Sequence, residues 1–349
     1  ESHLVILSAF DPKTRSVGLE DGITRAIDFR RTNKPDAYRT WLAPNRVRVK
    51  QAPAGIAPGQ LYRLQHYYYQ MNGVNMRSNA HLRLENVTIL STPGHAFLIC
   101  GTQHHTLFDH VDIVAPKDDR RRIITCTADH LHMAQSRGYL KLDHCEFSLG
   151  ADDILNMHDC SGFARRKDVH TIRTQNARAY GRLPKGTKVE LRHGDYSPTG
   201  FTGTVREIKT VDAKGAVYDI TFEEEVPEQT TDGLVMFDKT YDTQNVIVRN
   251  GYFHDNRARG LLILARNVTV ENNVFRHQEM GAIKIETGYT FNVWSEGYGV
   301  SNVVIRGNLF DNVNPSGSNA GHGRRSIYSG IYLRTDPSSD TTGFPIIRD

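Results

Sequence analysis

Short runs in which apolar and polar residues alternate punctuate the whole chain, the pattern of strands with one buried face. Three of them share one template: Asn245–Phe253 (NVIVRNGYF), Asn267–Phe275 (NVTVENNVF) and Asn302–Phe310 (NVVIRGNLF). Each opens on Asn, alternates Val or Ile with other residues, steps through an Asn- or Gly-containing pair and ends on Phe. The first two start 22 residues apart and the third follows after 35, which implies a loop of about 13 extra residues in the last interval. Leu82–Ile89 and Leu140–Phe147 are earlier relatives of the template. A unit of about 22–24 residues cannot bury its own apolar side, but units stacked on one another enclose a continuous core. The leucine-rich skeleton of similar period is missing, and a propeller needs a period of about 40 or more. The pattern predicts an all-β chain whose body is a right-handed parallel β-helix, a solenoid.

One stretch departs from the template. Between about residues 176 and 243 the asparagines vanish and longer alternating runs replace them: Lys188–His193, Gly203–Val211 and Ala216–Phe222. The last two are joined across Asp212–Gly215, a hairpin signal. Long strands with short turns predict a small antiparallel β-barrel inserted into the solenoid. The expected organisation is β-helix over 1–175, barrel over 176–243 and β-helix again over 244–349. Glu223–Glu225 reads as a solvated rim of that barrel.

Composition narrows the function classes. The chain has 349 residues, with 43 Lys and Arg against 39 Asp and Glu, a formal charge of +4. Positive charge is not gathered into a stripe, which argues against nucleic acid as a partner. The apolar runs are too short for a membrane-spanning helix. Four cysteines, Cys100, Cys126, Cys145 and Cys160, lack CxxC spacing and so give little support to zinc; two disulfides or four buried thiols both fit. Starting at Glu1 and ending within Ile346–Asp349, the sequence reads as an internal piece of a longer chain, with any targeting segment outside it.

A second repeat carries the candidate chemistry. Asp129–Met133 (DHLHM) and Asp153–Met157 (DILNM) start 24 residues apart, one turn of the solenoid, and Gly260–Leu264 and Gly281–Ile285 resemble the same strand in later turns. Leu131, Leu155 and Ile283 should then stack inward, as should Met133, Met157 and Ile285, leaving His132, Asn156 and Lys284 as an outward polar column. Asp129 and Asp153 should lie one above the other, and a bend allowed by Gly150 should turn both Asp152 and Asp153 outward. Three carboxylates on one patch repel, which raises at least one pKa and suits a general acid near neutral pH. The others can hold water as a base, the division that an inverting glycosidase needs, with acid and base roughly 6.5–9.5 Å apart. Calcium binding or strand capping is the non-catalytic use of the same residues.

Thr127–Asp129 followed by Gly150–Asp153 is similar to the three-aspartate signature of β-helical glycoside hydrolases. The polygalacturonases of family 28 share it, and Ala282–Lys284 partly echoes their Arg-Ile-Lys, but the one Gly-His-Gly here, Gly321–Gly323, lies far downstream. Asp152–His158 (DDILNMH) more closely resembles the Asp-Asp-x-x-Asn-x-His motif of glycoside hydrolase family 110, the α-1,3-galactosidases that include blood-group-B-cleaving enzymes. An inserted barrel after this motif is also a family trait, whereas Asp159 stands where glycine is expected. The resemblance implies an exo-acting, inverting α-galactosidase without metal or organic cofactor, taking an oligo- or polysaccharide with terminal galactose. It implies Asp152 as general acid and Asp129 with Asp153 as the pair activating water. A secreted or periplasmic location follows from the substrate class alone.

Further substrate contacts are expected from His132, Asn156, His158 and Lys284, and from the loop of Glu286–Glu296, where Glu286 and Trp294 offer a carboxylate and a ring for a sugar. His95, His104 and His105 are read together as a weak candidate for metal binding, and Arg257 and Arg259 as surface residues able to meet a sulfate. A polysaccharide lyase using a Lys or Arg base with calcium, and a non-catalytic carbohydrate-binding solenoid, are the rival readings.

Overall fold

The computed structural model describes residues 4–17, 24–28, 39–49, 58–65, 69, 71–289, 295–314, 330–335 and 347. Two parallel sheets run through it, and the chain passes from one to the other once per rung. The first sheet stacks Val74–Arg77, Phe97–Cys100, Leu131–Ala134, Leu155–His158, Leu261–Leu264, Ile283–Tyr289 and Ile331–Thr335, all parallel. The second begins with Ala80–Ile89 and His104–Ile113 and takes in the three template runs in mutual register, Val246 beside Val268 beside Val303. Among the described residues a 3₁₀ turn at Arg178–Tyr180 is the one helical element, and no helix is long and apolar enough to cross a membrane.

The inward ladders fall where alternation places them. Leu131, Leu155, Leu261 and Ile283 align in one, Met133, Met157, Ile263 and Ile285 in the next, and all are buried in a single core shared by both sheets. The terminal Phe of the template forms its own stack, with ring centroids 5.6 Å apart for Phe147–Phe253, 5.4 Å for Phe253–Phe275 and 5.5 Å for Phe275–Phe310. Offset aromatic pairs of this kind add about 0.5–1.5 kcal/mol each beyond area burial.

The asparagines mark corners. Asn245, Asn267 and Asn302 have φ of 58°, 54° and 53°, in the left-handed region that Asn tolerates better than most residues. Their amides bond along the stack, Asn267 Nδ2 donating to Asn245 Oδ1 at 3.1 Å and Asn302 Nδ2 to Asn267 Oδ1 at 3.0 Å. Earlier rungs keep the conformation with other residues: His81, His105 and Tyr139 sit at φ of 56°, 52° and 57°. A second corner does the same with Asn86, His110, His144, Asn250 and Asn272.

Two boundaries differ from expectation. The closed six-stranded antiparallel barrel comprises Ser161–Arg166, Thr171–Gln175, Lys188–His193, Pro198–Asp212, Val217–Phe222 and Leu234–Asp238. It therefore begins at Ser161, ahead of the expected residue 176, because Ser161–Gln175 closes the barrel against Leu234–Asp238 and Val217–Phe222. The N-terminal part also differs: Leu4–Ala9, Thr24–Asp28 and Tyr62–Gln65 form an antiparallel sheet, and the parallel rungs described begin at Val74. All four cysteines are free thiols. At the barrel rim Glu224 accepts from the Thr204 hydroxyl at 2.7 Å and lies 3.7 Å from Lys188, while Glu223 and Glu225 are exposed.

Candidate active site

Rung stacking brings the three aspartates together. His130 N donates to Asp153 O at 2.9 Å, which sets the turn before Leu131–Ala134 directly on the turn before Leu155–His158. Asp153 N then donates to Asp129 Oδ1 at 3.0 Å, and one carboxylate oxygen from each of Asp129, Asp152 and Asp153 lies within 4.8 Å of the other two. That is tighter than the 6.5–9.5 Å expected between acid and base of an inverting enzyme. Gly150 is required for space: a Cβ there would lie 2.2 Å from His130 Cε1 and 2.6 Å from Asn256 Oδ1.

The bend does not turn both adjacent aspartates to solvent. Asp152 is partly exposed, but Asp153 is buried, and Arg259 compensates its charge. Arg259 occupies the same position one rung later: Ile154 N donates to Arg259 O, and the guanidinium holds both Asp153 oxygens at 2.7 Å. Arg257 donates to Asp152 Oδ1 at 3.1 Å. Neither arginine is therefore the free anion receptor expected from the sequence; both belong to the carboxylate cluster. Their signal was present in the sequence, since Arg257-Ala258-Arg259 aligns with Ala151-Asp152-Asp153 once Gly260–Leu264 is recognised as the same strand.

The electrostatics follow. Asp152 is pushed up to about 7, first by burial, with Asp129 and Asp153 adding repulsion and Arg257 opposing it. Asp129 is raised in the same direction by burial and by Asp153. The expected rise is present, but desolvation leads and mutual repulsion comes second. Asn256 fixes the Asp152 peptide, its Nδ2 donating to the carbonyls of Asp152 at 2.6 Å and Arg259 at 3.1 Å.

Histidines surround Asp129. His132 Nδ1 lies 2.6 Å from Asp129 Oδ2, and His132 Nε2 lies 3.3 Å from His158 Nε2. Glu296 approaches His158 to 3.6 Å. His95 packs against His132 at 4.6 Å between centroids and against Tyr69 at 5.3 Å, with its Nδ1 3.7 Å from Asp129. Burial lowers the pKa of His95, to about 3, and those of His132 and His158. The structure thus separates His95, which joins this site, from His104 and His105, which lie on the other parallel sheet with His81. Tyr69 is a site residue that sequence reasoning missed; burial raises its pKa first, and all three aspartates lie close enough to add to the rise.

The remaining candidates divide. Asn156 lies beside His132 in register, and its buried Oδ1 meets no donor among the described residues. The polar column is interrupted, however: Leu262 stands between Asn156 and Lys284, and Leu98 precedes His132. Lys284 is paired with Glu286 two residues on, and Leu264 separates Glu286 from His158 in the neighbouring column. Trp294 and Gly321–Gly323 lie outside the described residues. Asp159 has a structural partner: it accepts from Thr243 N at 3.0 Å and Thr243 Oγ1 at 2.6 Å, stapling the entry of the barrel to its exit.

Two donor sets of this site are close enough to hold a cation, the three aspartates and His95–Asp129–His132. Arg259 already takes both Asp153 oxygens and His132 takes Asp129 Oδ2, so a cation at either set would compete with these protein donors. The chemistry available is proton transfer by a carboxyl that stays protonated to near neutrality, beside two carboxyls fixed by hydrogen bonds.

Comparison with known proteins adds to this geometry. The chain is 30% identical over 316 residues to α-1,3-galactosidase B of Phocaeicola vulgatus, covering 82% of this chain and 51% of that one. The chain is similar to α-1,3-galactosidases. It is 28% identical over 321 residues to α-1,3-galactosidase B of Bacteroides thetaiotaomicron, with 89% and 50% of the two chains covered. With α-1,3-galactosidase A of Bacteroides fragilis it shares 28% over 202 residues, 56% of this chain and 33% of that one. These matches bear out the resemblance read from Asp152–His158. The chain spans about half or less of the length of these relatives. No protein-family model matches it.

Proposed function

We propose that the chain carries the catalytic part of an exo-acting α-galactosidase, hydrolysing a terminal α-1,3-linked galactose from an oligo- or polysaccharide. The observation that carries this reading is the convergence of Asp129, Asp152 and Asp153, of which Asp152 is the partly exposed one and is raised to about 7. The printed names of the relatives supply the galactose and its linkage. The two parallel sheets are, in this reading, walls of a right-handed β-helix, which sets successive rungs about 4.8 Å apart and so sets the spacing of the cluster.

Asp152 donates its proton to the departing glycosidic oxygen. Asp129 and Asp153 position a water, and the proton it loses lands on the Asp129–His132 pair. Water is the nucleophile because neither buried carboxylate is free to reach an anomeric carbon: Asp153 is clamped by Arg259, and both Asp129 oxygens accept hydrogen bonds. Attack by water on the face opposite the leaving group inverts the anomeric centre. The carboxyl oxygens, within 4.8 Å of one another, are spaced more as in retaining enzymes, at about 5–5.5 Å, so retention is the rival outcome of the test below. In this reading His132, Asn156 and His158 contact sugar hydroxyls, and the support for Asn156 is its buried Oδ1 without a donor among the described residues. A lyase would need a free basic side chain here, and the two arginines are engaged with carboxylates.

The test is hydrolysis of an aryl α-galactoside and of an α-1,3-galactosyl disaccharide, followed by NMR. β-Galactose should appear first. Asp152→Asn should lower kcat by about 10²–10⁴-fold, the range of general acid catalysis, with the circular dichroism spectrum unchanged. Initial α-galactose would overturn the inverting route, and full activity of Asp152→Asn would remove the acid assignment.

A further inference from the structure

On the second parallel sheet, away from the strands that carry the aspartates, three imidazoles gather at one corner. His81 comes from the strand Ala80–Ile89, and His104 and His105 open the next strand, His104–Ile113. We propose that His81, His104 and His105 form a binding site for a divalent transition-metal ion that prefers imidazole, such as Zn²⁺, Cu²⁺ or Ni²⁺.

The geometry comes first. One ring nitrogen from each histidine lies within 4.8 Å of the other two, and His104 Nδ1 and His105 Nδ1 are 2.7 Å apart. With metal–nitrogen distances of about 2.0–2.1 Å, ligand nitrogens stand about 2.9 Å apart at a right angle and about 3.4 Å in a tetrahedron. The close pair is therefore already near a cis arrangement, and the third nitrogen closes on it by rotation of an exposed side chain. The donor set is all nitrogen, which suits first-row transition ions and not calcium or magnesium.

The corner itself supplies an independent observation. Positions 81, 105, 139, 245, 267 and 302 align along the sheet, and every one is in the left-handed conformation. Where Asn fills the corner, at 245, 267 and 302, the backbone demand is met and the amides satisfy one another along the stack. Histidine answers the same backbone demand less well and cannot extend that amide chain, so the fold has no need of it at 81 and 105. The adjacent Tyr139 ring lies flat on His105, at 4.3 Å and 6°, which holds the imidazole plane.

Titration of Zn²⁺ into the intact chain by calorimetry tests the site. His105→Asn is the informative variant, because it restores the residue that later rungs use at this corner and so preserves the fold. The parent should bind saturably with a dissociation constant on the order of micromolar, and His105→Asn and His104→Ala should each weaken binding at least about tenfold. His110→Asn, at the other histidine-bearing corner, should bind as the parent does, and hydrolysis of an α-galactoside should be the same in His105→Asn as in the parent. With Cu²⁺ as probe, the electron paramagnetic spectrum should show coupling to several nitrogens and lose it in His105→Asn. Absence of saturable binding below about 1 mM, or parent-like affinity in His105→Asn, would overturn the proposal.

Discussion

A buried carboxylate survives only with compensation, and the three aspartates obtain it in three ways. Asp153 is neutralised by a bidentate arginine, Asp129 takes hydrogen bonds from His132 and the Asp153 amide while burial also pushes it toward its protonated form, and Asp152 retains its proton. Removing one partner of a buried pair leaves the other charge uncompensated, at about 3–5 kcal/mol. Arg259→Gln should therefore lower stability by an amount of that order, measured by urea unfolding, and should remove most activity along with it. The Asp152 proton has a further consequence. The folded chain holds it to about pH 7, whereas an unfolded chain releases it near pH 4. Between these values the folded state binds more protons, so stability should fall as pH rises through the window. Asp152→Asn should reduce that slope in a series of thermal midpoints. In the parent, kcat should decline on the alkaline side as the acid loses its proton.

At the scale of strands and turns, the corners decide which residues are tolerated. Asn267 satisfies a left-handed backbone and links two neighbouring amides. Asn267→Ala should cost about 1–2 kcal/mol, while Asn267→Gly should recover part of that loss, which separates backbone conformation from hydrogen bonding when the two are unfolded side by side. Gly150→Ala should cost about 1–3 kcal/mol by overpacking, because His130 and Asn256 fill the volume a methyl group would take. Strand alternation makes the inward ladders legible in the sequence, and the 24-residue interval makes Asp129 and Asp153 neighbours. Arg259 is reached by another route: 106 residues, including the barrel, separate it from Asp153, so its signal is the matching strand Gly260–Leu264 that follows it and not a regular interval. The rung at His104–Ile113 is hidden, because His stands at its corners where the template has Asn.

Across the whole molecule, two sets of contacts among the described residues fasten the barrel where it leaves and rejoins the rungs. Asp159 and Thr243 join its ends. Tyr298, just beyond Glu296, lies under Arg192 at 4.0 Å, Lys239 at 4.2 Å and Arg266 at 4.9 Å, and its hydroxyl donates to Glu190 at 2.6 Å. The segment that brings Glu296 to His158 is thus held by barrel and rung residues together. None of this was visible in the sequence, where Tyr298 carries no repeat and Asp159 registered only as a departure from an expected glycine. Asp159→Ala should cost about 1–3 kcal/mol by stranding the Thr243 amide and hydroxyl, read as a lower thermal midpoint.

The Asp159–Thr243 staple also bears on how such a chain can diversify. The charged column of Asp129, Asp153 and Arg259 depends on the backbone resuming its winding at the right height, not on what it does in between. A different folded module whose two ends fit that clasp should leave Asp129, Asp153 and Arg259 at the same heights, but it would have to replace the Glu190, Arg192 and Lys239 contacts that hold Tyr298 beside Glu296. The excursion is thereby separable from the winding that aligns the acid cluster, and its link to the site runs through the segment of Glu296 and Tyr298.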